Sequence, residues 1–289
     1  MGIFSDILLT VDFDRTLTAP DSTIPERNIE AIAYFMKNGG RFTVNTGRST
    51  GTFWQYLDTI PANAPFLLYN GSAAWEKGAL AHCVPISLDV WQTMETVHSL
   101  FPDMNLEIQG IERHYLIEPQ PEMVALCENL GWRYKIAQWG EDVGPFLKFA
   151  LWGTPETPVV SSVFSATTEQ MLRFSQTEQT LRKLFGQQVE VFRAAPRIID
   201  IHAKGVSKIR AARRLQKELG RKILVCIGDA ENDIPMLDGA DYAFCPGDAV
   251  VADRYETVCP CADGAVADVI YKKIPEILGL SLDMAQELC

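Results

Sequence analysis

Short apolar runs punctuate the first part of the chain, and each stops abruptly at small or acidic residues. The clearest is Ile7 to Val11, which ends in Asp12 and Asp14. So apolar a run predicts a strand buried on both faces, as in a parallel sheet between helices. Thr23-Ile-Pro-Glu26 then reads as a helix start, with Thr23 as the cap and Pro25 in the first turn. Ile29, Ile32 and Phe35 recur at helical spacing until Gly39-Gly40. Arg41 to Asn45 is strand-like, a helix is expected from Ser49 to about Leu57, and Phe66 to Tyr69 is the next strand. Strand, helix, strand, helix, strand indicates a parallel sheet.

Beyond Gly71 the pattern changes. Ala73–Trp75 and Ala79–Val84 flank Glu76-Lys77-Gly78 as a hairpin would. A helix is expected over Leu88 to Leu100, a second hairpin over Leu106–Gln109 and His114–Ile117, and a helix near Glu122–Leu130. Phe146–Trp152 reads as a strand, Gly153–Thr168 as a loop, Glu178–Phe185 as a helix and Gln188–Phe192 as a strand. Ile198–Ile201 is a candidate for the last strand of this section. Mixed hairpins and helices predict an α+β unit inserted into the first domain. Gly205 to Leu219 then forms a strongly periodic helix, and Lys222–Ile227 a buried strand ending in Gly228-Asp229-Ala230-Glu231-Asn232-Asp233. Short strands at Tyr242–Phe244 and Thr257–Val258 and a helix over Val266–Lys272 complete the chain. The expected fold class is therefore α/β: a doubly wound parallel core over 1–83 and 194–289, with an inserted α+β domain over 84–193.

Composition narrows the chemistry. With 289 residues and 47% hydrophobic positions the chain can build a core plus a second domain. A net charge of −11 argues against a nucleic-acid partner. No apolar run is long enough for a spanning helix, no signal-peptide pattern opens the chain, and Asp6 breaks the myristoylation pattern, so no membrane partner is expected. Seven scattered cysteines, an odd number without a C-x-x-C pair, read as reduced thiols of a cytoplasmic protein. The four histidines show no metal spacing.

Two acidic clusters carry the chemistry. In open α/β sheets, reactive groups sit just beyond the carboxyl ends of the strands. Asp12 and Asp14, at i and i+2, would reach into one crevice if the extended backbone persists. Asp229 and Asp233 stand at the end of another apolar strand. Either cluster alone could be an ordinary strand-end turn. If both meet at one sheet edge, their repulsion calls for a cation, and a hard divalent ion with oxygen ligands is the simplest. Thr46 and Lys208 add a hydroxyl and an ammonium at expected helix starts, where backbone N–H groups also favour anions.

These residues resemble, in order, the four motifs of the haloacid dehalogenase superfamily of aspartate-nucleophile phosphatases. The motifs are Asp12-Phe-Asp14-Arg-Thr16, Thr46 in Asn-Thr-Gly-Arg, Lys208 in Gly-Val-Ser-Lys, and Gly228-Asp229-Ala-Glu-Asn232-Asp233. The long insert and Asn70-Gly71 are similar to the Cof-type, or class IIB, branch with its α/β cap. The resemblance covers about residues 5–85 and 190–275 well, and the insert only in position and element content.

The resemblance implies that Asp12 attacks phosphorus and that Asp14 protonates the leaving alcohol and then activates water. It implies that Thr46, Gly47, Lys208 and Asn232 bind the phosphoryl oxygens. Mg²⁺ would be held by Asp12, the Asp14 carbonyl, Asp229 and Asp233. The implied function is a Mg²⁺-dependent phosphatase of small phosphorylated metabolites, with sugar phosphates as the leading class. A phosphosugar mutase and a catalytically silent metabolite-binding protein are the alternatives; the intact carboxylate set argues against the last.

Two positions depart from the family: Arg15 stands where Gly is usual, and Asp248 where Asn is usual. Arg15, Arg48 and Lys148 are candidate substrate contacts. Lys148, Arg113, His114 and Arg193 of the insert are read first as solvated surface residues, and second as substrate contacts. Trp91, Trp132, Trp139 and Trp152 are read as core of the insert rather than as a stacking platform.

Overall fold

The computed structural model describes residues 2–154 and 165–280. In chain order, β1 (Ile7–Val11) leads through a wide turn at Phe13–Leu17 to α1 (Glu26–Lys37) and β2 (Arg41–Val44). Then come α2 (Thr50–Phe53), β3 (Phe66–Leu68), β4 (Ala73–Glu76), β5 (Ala79–Cys83) and α3 (Val90–Leu100). The next are β6 (Asn105–Gly110), β7 (His114–Ile117), α4 (Pro121–Asn129), β8 (Tyr134–Ala137) and β9 (Phe146–Trp152). They are followed by α5 (Thr168–Phe185), β10 (Val189–Ala195), β11 (Ile198–Ala203), α6 (Lys208–Glu218) and β12 (Ile223–Ile227). Finally α7 (Ile234–Asp238), β13 (Tyr242–Pro246), β14 (Glu256–Val258), α8 (Ala265–Asp268) and α9 (Ile274–Ile277) close the described chain.

The chain divides into two compact units: residues 1–46, 56–81 and 207–289, and residues 47–55 and 82–206. The first unit holds a five-stranded parallel sheet in the order β14-β13-β12-β1-β2. Every residue of β1 is buried, as its largely apolar run requires, and the one hydroxyl in it, on Thr10, pairs with Cys226 Sγ at 3.2 Å. From β1 the chain moves to β2 on one side, and later returns to β12 on the other. The β1/β12 boundary is therefore the topological switch point, where α/β sheets open a crevice at their carboxyl ends. Helix α6 packs Ala211, Ala212 and Leu215 onto this sheet, against Leu224, Cys226 and Met236.

The second unit holds a six-stranded sheet in the order β10-β11-β9-β6-β7-β8. Its apolar core joins Met94 and Val97 of α3 and Phe174 and Leu181 of α5 to Ile108, Phe149 and Ile201 of the strands. A smaller cluster joins Met123 and Leu126 of α4 to Leu116, Ala150 and Ile198. The alternation of strand residues between these clusters follows the two-residue period of a sheet.

Several expected boundaries move. Strand β11 pairs with both β9 and β10, so the sheet of the second unit runs to Ala203. The expected boundary at 193/194 accordingly falls at Val206/Ser207, and residues 47–55 join the second unit. Helix α1 starts at Glu26 rather than at a Thr23 cap, because Thr23 is engaged with Asp21: its hydroxyl donates to Asp21 Oδ1 at 2.6 Å. Helix α5 begins at Thr168 behind a Thr167/Gln170 capping box, ten residues before the expected start at Glu178. Residues 155–164 of the loop expected over Gly153–Thr168 lie outside the described residues. Strand β8, absent from the sequence reading, pairs in parallel with β7.

Candidate active site

The site begins where β1 stops. Asp12 is extended (φ −66°, ψ 160°), and its N–H donates to Ile227 O at 2.9 Å, which locks the end of β1 to the end of β12. The strand does not continue to Asp14. Phe13–Leu17 winds into a wide turn, with Leu17 N donating to Asp12 O and Thr18 N to Phe13 O. Asp12 is buried while Asp14 is exposed, so the two carboxylates differ in solvent access, although the Asp14 charge still acts on both Asp12 and Asp229. Arg15 lies in the left-handed region, at φ 57°, where the resembling family usually carries Gly. The loop keeps a glycine-like conformation with an arginine in it.

Asp229 and Asp233 follow β12 through a tight turn. Asp233 Oδ2 accepts the N–H groups of Asp229 at 3.1 Å and Ala230 at 3.3 Å. Gly228 permits this approach: a Cβ there would stand 2.6 Å from the Asp233 Cβ. The Thr16 hydroxyl donates to Asp229 Oδ1 at 3.4 Å. One oxygen each from Asp12, Asp229 and Asp233 lie within 4.8 Å of one another, and all three residues are buried. Asp14 does not belong to this carboxylate group; the resemblance gave it a metal role only through its backbone carbonyl.

Lys208, the first residue of α6, sends its ammonium between two of these carboxylates. Nζ lies 2.6 Å from Asp12 Oδ1 and 2.6 Å from Asp233 Oδ1. The helix start is held by the Ser207 cap on Arg210 N and by Asn45 Nδ2, which donates to Lys208 O at 2.9 Å. Asn45 thereby ties the end of β2 to the start of α6. Its place in Asn-Thr-Gly-Arg gives no local sign of this role, because Lys208 lies 163 positions further along the chain. Thr46 is buried at the same sheet edge, its N–H on Leu67 O and its carbonyl receiving Asn70 N–H, both at 2.9 Å. Asn232 is half-buried in the turn between Asp229 and Asp233.

Three buried carboxylates against one buried ammonium leave excess negative charge, and the titration behaviour reflects it. Burial and then Asp233 push the Asp12 carboxyl well above its ordinary range, against the pull of Lys208. Burial and Asp233 raise Asp229 to about 7, against Lys208 and Arg15. Burial disfavours the Lys208 ammonium, but Asp12 and Asp233 outweigh it and hold its pKa above the usual lysine value. A compact, oxygen-only, under-neutralised donor set fits a hard divalent cation such as Mg²⁺.

Gly47, Arg48 and Lys148 belong to the second unit and are not part of this cluster. There, Lys148 and His114 correct the surface reading: both are buried. Lys148 Nζ pairs with Asp200 Oδ2 at 2.9 Å and donates to Gly47 O at 3.2 Å. His114 lies between Glu107 and the Ser49 hydroxyl. Arg193 packs over Phe174 and pairs with Glu178, and Arg113 is half exposed beside Glu112. Trp152 is buried and lies against Trp132, whereas Trp139 is partly exposed beside Trp91.

A doubly wound core with three carboxylates and a lysine at its switch point defines a candidate enzyme site. The model of the haloacid dehalogenase-like hydrolase family matches residues 9–252. The chain belongs to this family, as a Cof-type hydrolase of the phosphatase kind. It is similar to the HMP-PP phosphatase of Escherichia coli O157:H7, 24% identical over 260 residues, 86% of this chain and 87% of that protein. It is also similar to the Bacillus subtilis 5-amino-6-(5-phospho-D-ribitylamino)uracil phosphatase YcsE, 21% identical over 279 residues, covering 92% and 94%. Among solved structures, the fold matches the HAD subclass IIB sugar phosphatase BT4131 with a TM-score of 0.71, at 18% identity, covering 94% of this chain and 98% of that one.

None of the described helices is long and apolar enough to cross a membrane. The six cysteines among the described residues are free thiols.

Proposed function

We propose that this chain is a Mg²⁺-dependent phosphatase of small phosphorylated metabolites, sugar phosphates among them, working through an aspartyl-phosphate intermediate. The observation that carries this reading is the meeting of Asp12, Asp229, Asp233 and Lys208 at the switch point of the core sheet. The phosphorylated substrates named for the relatives support the substrate class.

In this reading Asp12 attacks phosphorus and the ester oxygen leaves, taking a proton from Asp14. Asp14 is suited to that exchange because it is exposed, whereas Asp12 is buried. Once the alcohol has gone, Asp14 accepts a proton from water. The water oxygen bonds to phosphorus, the bond to Asp12 breaks, and phosphate leaves. Lys208, Thr46, Gly47 and Asn232 would bind the phosphoryl oxygens. Asp12, Asp229 and Asp233, with the Asp14 carbonyl, would hold Mg²⁺. When bound, the metal would neutralise the phosphoryl oxygens and keep Asp12 ionised despite its burial. The second unit would act as the specificity-setting cap, with Arg48 as a candidate contact, joined by Arg15 of the first unit. Free thiols fit a cytoplasmic setting.

The test is phosphate release with and without Mg²⁺ across sugar phosphates, nucleotides, phosphoglycerates, pyridoxal phosphate and an aryl phosphate. Metal-dependent release with a preference for one group supports the reading. Isomerised product without free phosphate would replace it with a mutase, and silence across the panel would remove it.

A further inference from the structure

One face of the sheet in the second unit is unusually polar for a buried surface. Register places Gln109, Lys148 and His202 in one row across β6, β9 and β11, with His114 opposite Gln109 on β7. The next row on that face carries Glu107, Ala150 and Asp200. All five ionisable residues among these (Glu107, His114, Lys148, Asp200 and His202) are buried, none more than 6% exposed. Removing charges from water is costly unless they are paired and hydrogen-bonded. Here the pairing is extensive. Glu107 Oε2 accepts Gln109 Nε2 and Trp152 Nε1, both at 2.9 Å, and Glu107 faces His114. Asp200 pairs with Lys148. Burial pushes both carboxyls up, but their cationic and hydrogen-bonding neighbours outweigh it and hold Glu107 and Asp200 below the ordinary range.

What this network grips is one short segment of chain. Lys148 Nζ donates to Gly47 O, and His114 Nε2 meets the Ser49 hydroxyl. Thr50 Oγ1 donates to Ile111 O, and Arg133 N donates to Gly51 O at 3.2 Å. The fit is close enough that a Cβ on Gly51 would stand 3.0 Å from His114 Cδ2. Arg133 covers the Trp54 ring at 4.6 Å. This segment is the peptide that continues directly from Thr46 and carries Gly47 and Arg48. A structural core needs no buried lysine directed at a backbone carbonyl of a turn. Apolar residues would fill the same space at less cost.

We propose that Lys148 and His114 are positioning residues that fix the Gly47–Ser49 turn in the conformation that binds the transferring phosphoryl group. This rests on the phosphatase reading. Lys148 acts through the Gly47 carbonyl, with Asp200 orienting its ammonium. His114 acts through the Ser49 hydroxyl, with Glu107 orienting its ring.

The test uses the full-length chain and two paired variants. K148M/D200N removes both members of the Lys148–Asp200 ion pair, so no uncompensated charge is left inside, and E107Q/H114Q replaces both members of the Glu107–His114 contact together. Three quantities are read: affinity for inorganic phosphate, affinity for Mg²⁺, and the split between kcat and KM on the best ester from the panel. We expect at least a tenfold loss in phosphate affinity and a matching rise in KM, with kcat and Mg²⁺ affinity within about threefold of wild type. A folded paired variant with wild-type phosphate affinity and KM overturns the proposal. So does an equal loss of Mg²⁺ and phosphate binding, which marks a general structural defect. If one paired variant does not fold, the other decides; if neither folds, the network is structural and the proposal fails. Failure of the phosphatase reading is separate, because wild type would then release no phosphate from any ester.

Discussion

Arg15 Nε lies 3.9 Å from Asp229 Oδ2, although Arg15 must adopt a left-handed backbone conformation to be there. That conformation costs a residue with a Cβ on the order of 1 kcal/mol. The arginine side chain is about half exposed, so its charge on Asp229 is partly screened by solvent. It still opposes the rise of the Asp229 pKa, and it helps hold the Asp248 carboxyl low after burial and the Cys261 hydrogen bonds are counted. The two departures from the family pattern, Arg15 and Asp248, therefore influence each other electrostatically at the rim of one carboxylate cluster.

Replacing this arginine should strengthen metal binding. Arg15→Gly removes a cation beside a metal-ligand candidate and restores the residue that the backbone favours. Calorimetric titration should give Mg²⁺ affinity several-fold above wild type. Weaker Mg²⁺ binding would mean that Arg15 organises the site instead of competing within it.

Asp12→Asn should abolish turnover, by a factor of a thousand or more, because an amide is not a competent nucleophile toward phosphorus. The same change removes one of three crowded buried carboxylates whose ionised forms burial and mutual repulsion disfavour. The metal-free variant should therefore melt no lower than wild type at pH 8. Phosphate release at a tenth of the wild-type rate would remove Asp12 from the nucleophile role.

Stability should depend on pH in a way that Mg²⁺ reverses. The folded pKa of Asp229, about 7, lies above its ordinary 3.8, so folding favours the protonated form. That contribution is complete below about pH 3.8 and is lost as pH rises through about 7. Buried His202, whose pKa is lowered chiefly by desolvation, works in the opposite direction near neutrality. Its effect cancels when melting temperatures with and without Mg²⁺ are subtracted. The Mg²⁺-induced rise in Tm should grow steadily from pH 5 to pH 8. A rise independent of pH would show that the metal does not displace protons from this cluster.

Lys208→Met should cost about 3–5 kcal/mol of stability in metal-free protein, because it strands Asp12 and Asp233 in the interior without their cation. Mg²⁺ should recover part of this loss while phosphate release stays absent. Urea unfolding with and without metal measures both effects. A loss below 1 kcal/mol would mean that the carboxylates shed their charge by taking up protons.

The parallel core was legible because its signals are local. An unbroken apolar run such as Ile223–Ile227 has few alternatives to a buried strand. Boundaries were harder where side chains compete: Asp21 takes the Thr23 hydroxyl that would have capped α1, and the Thr167/Gln170 box starts α5 well before its apolar periodicity becomes clear. The polar face of the second sheet was not legible. Lys148 and His114 look like surface residues in isolation, and only their register neighbours Gln109 and His202, with Glu107 and Asp200 in the adjoining row, make burial tolerable.

By itself, the order of residues determined the strand ends, the acidic groups that follow them and the family motifs, since these depend on neighbours a few positions apart. Tertiary structure alone decided which of those groups meet. It brought Asp12 to Lys208 across 196 positions of chain and buried Asp12 while leaving Asp14 exposed. It also seated the turn after Thr46 on a polar sheet face built from residues far along the chain. Charge pairing and burial act through space, and no local pattern reports them.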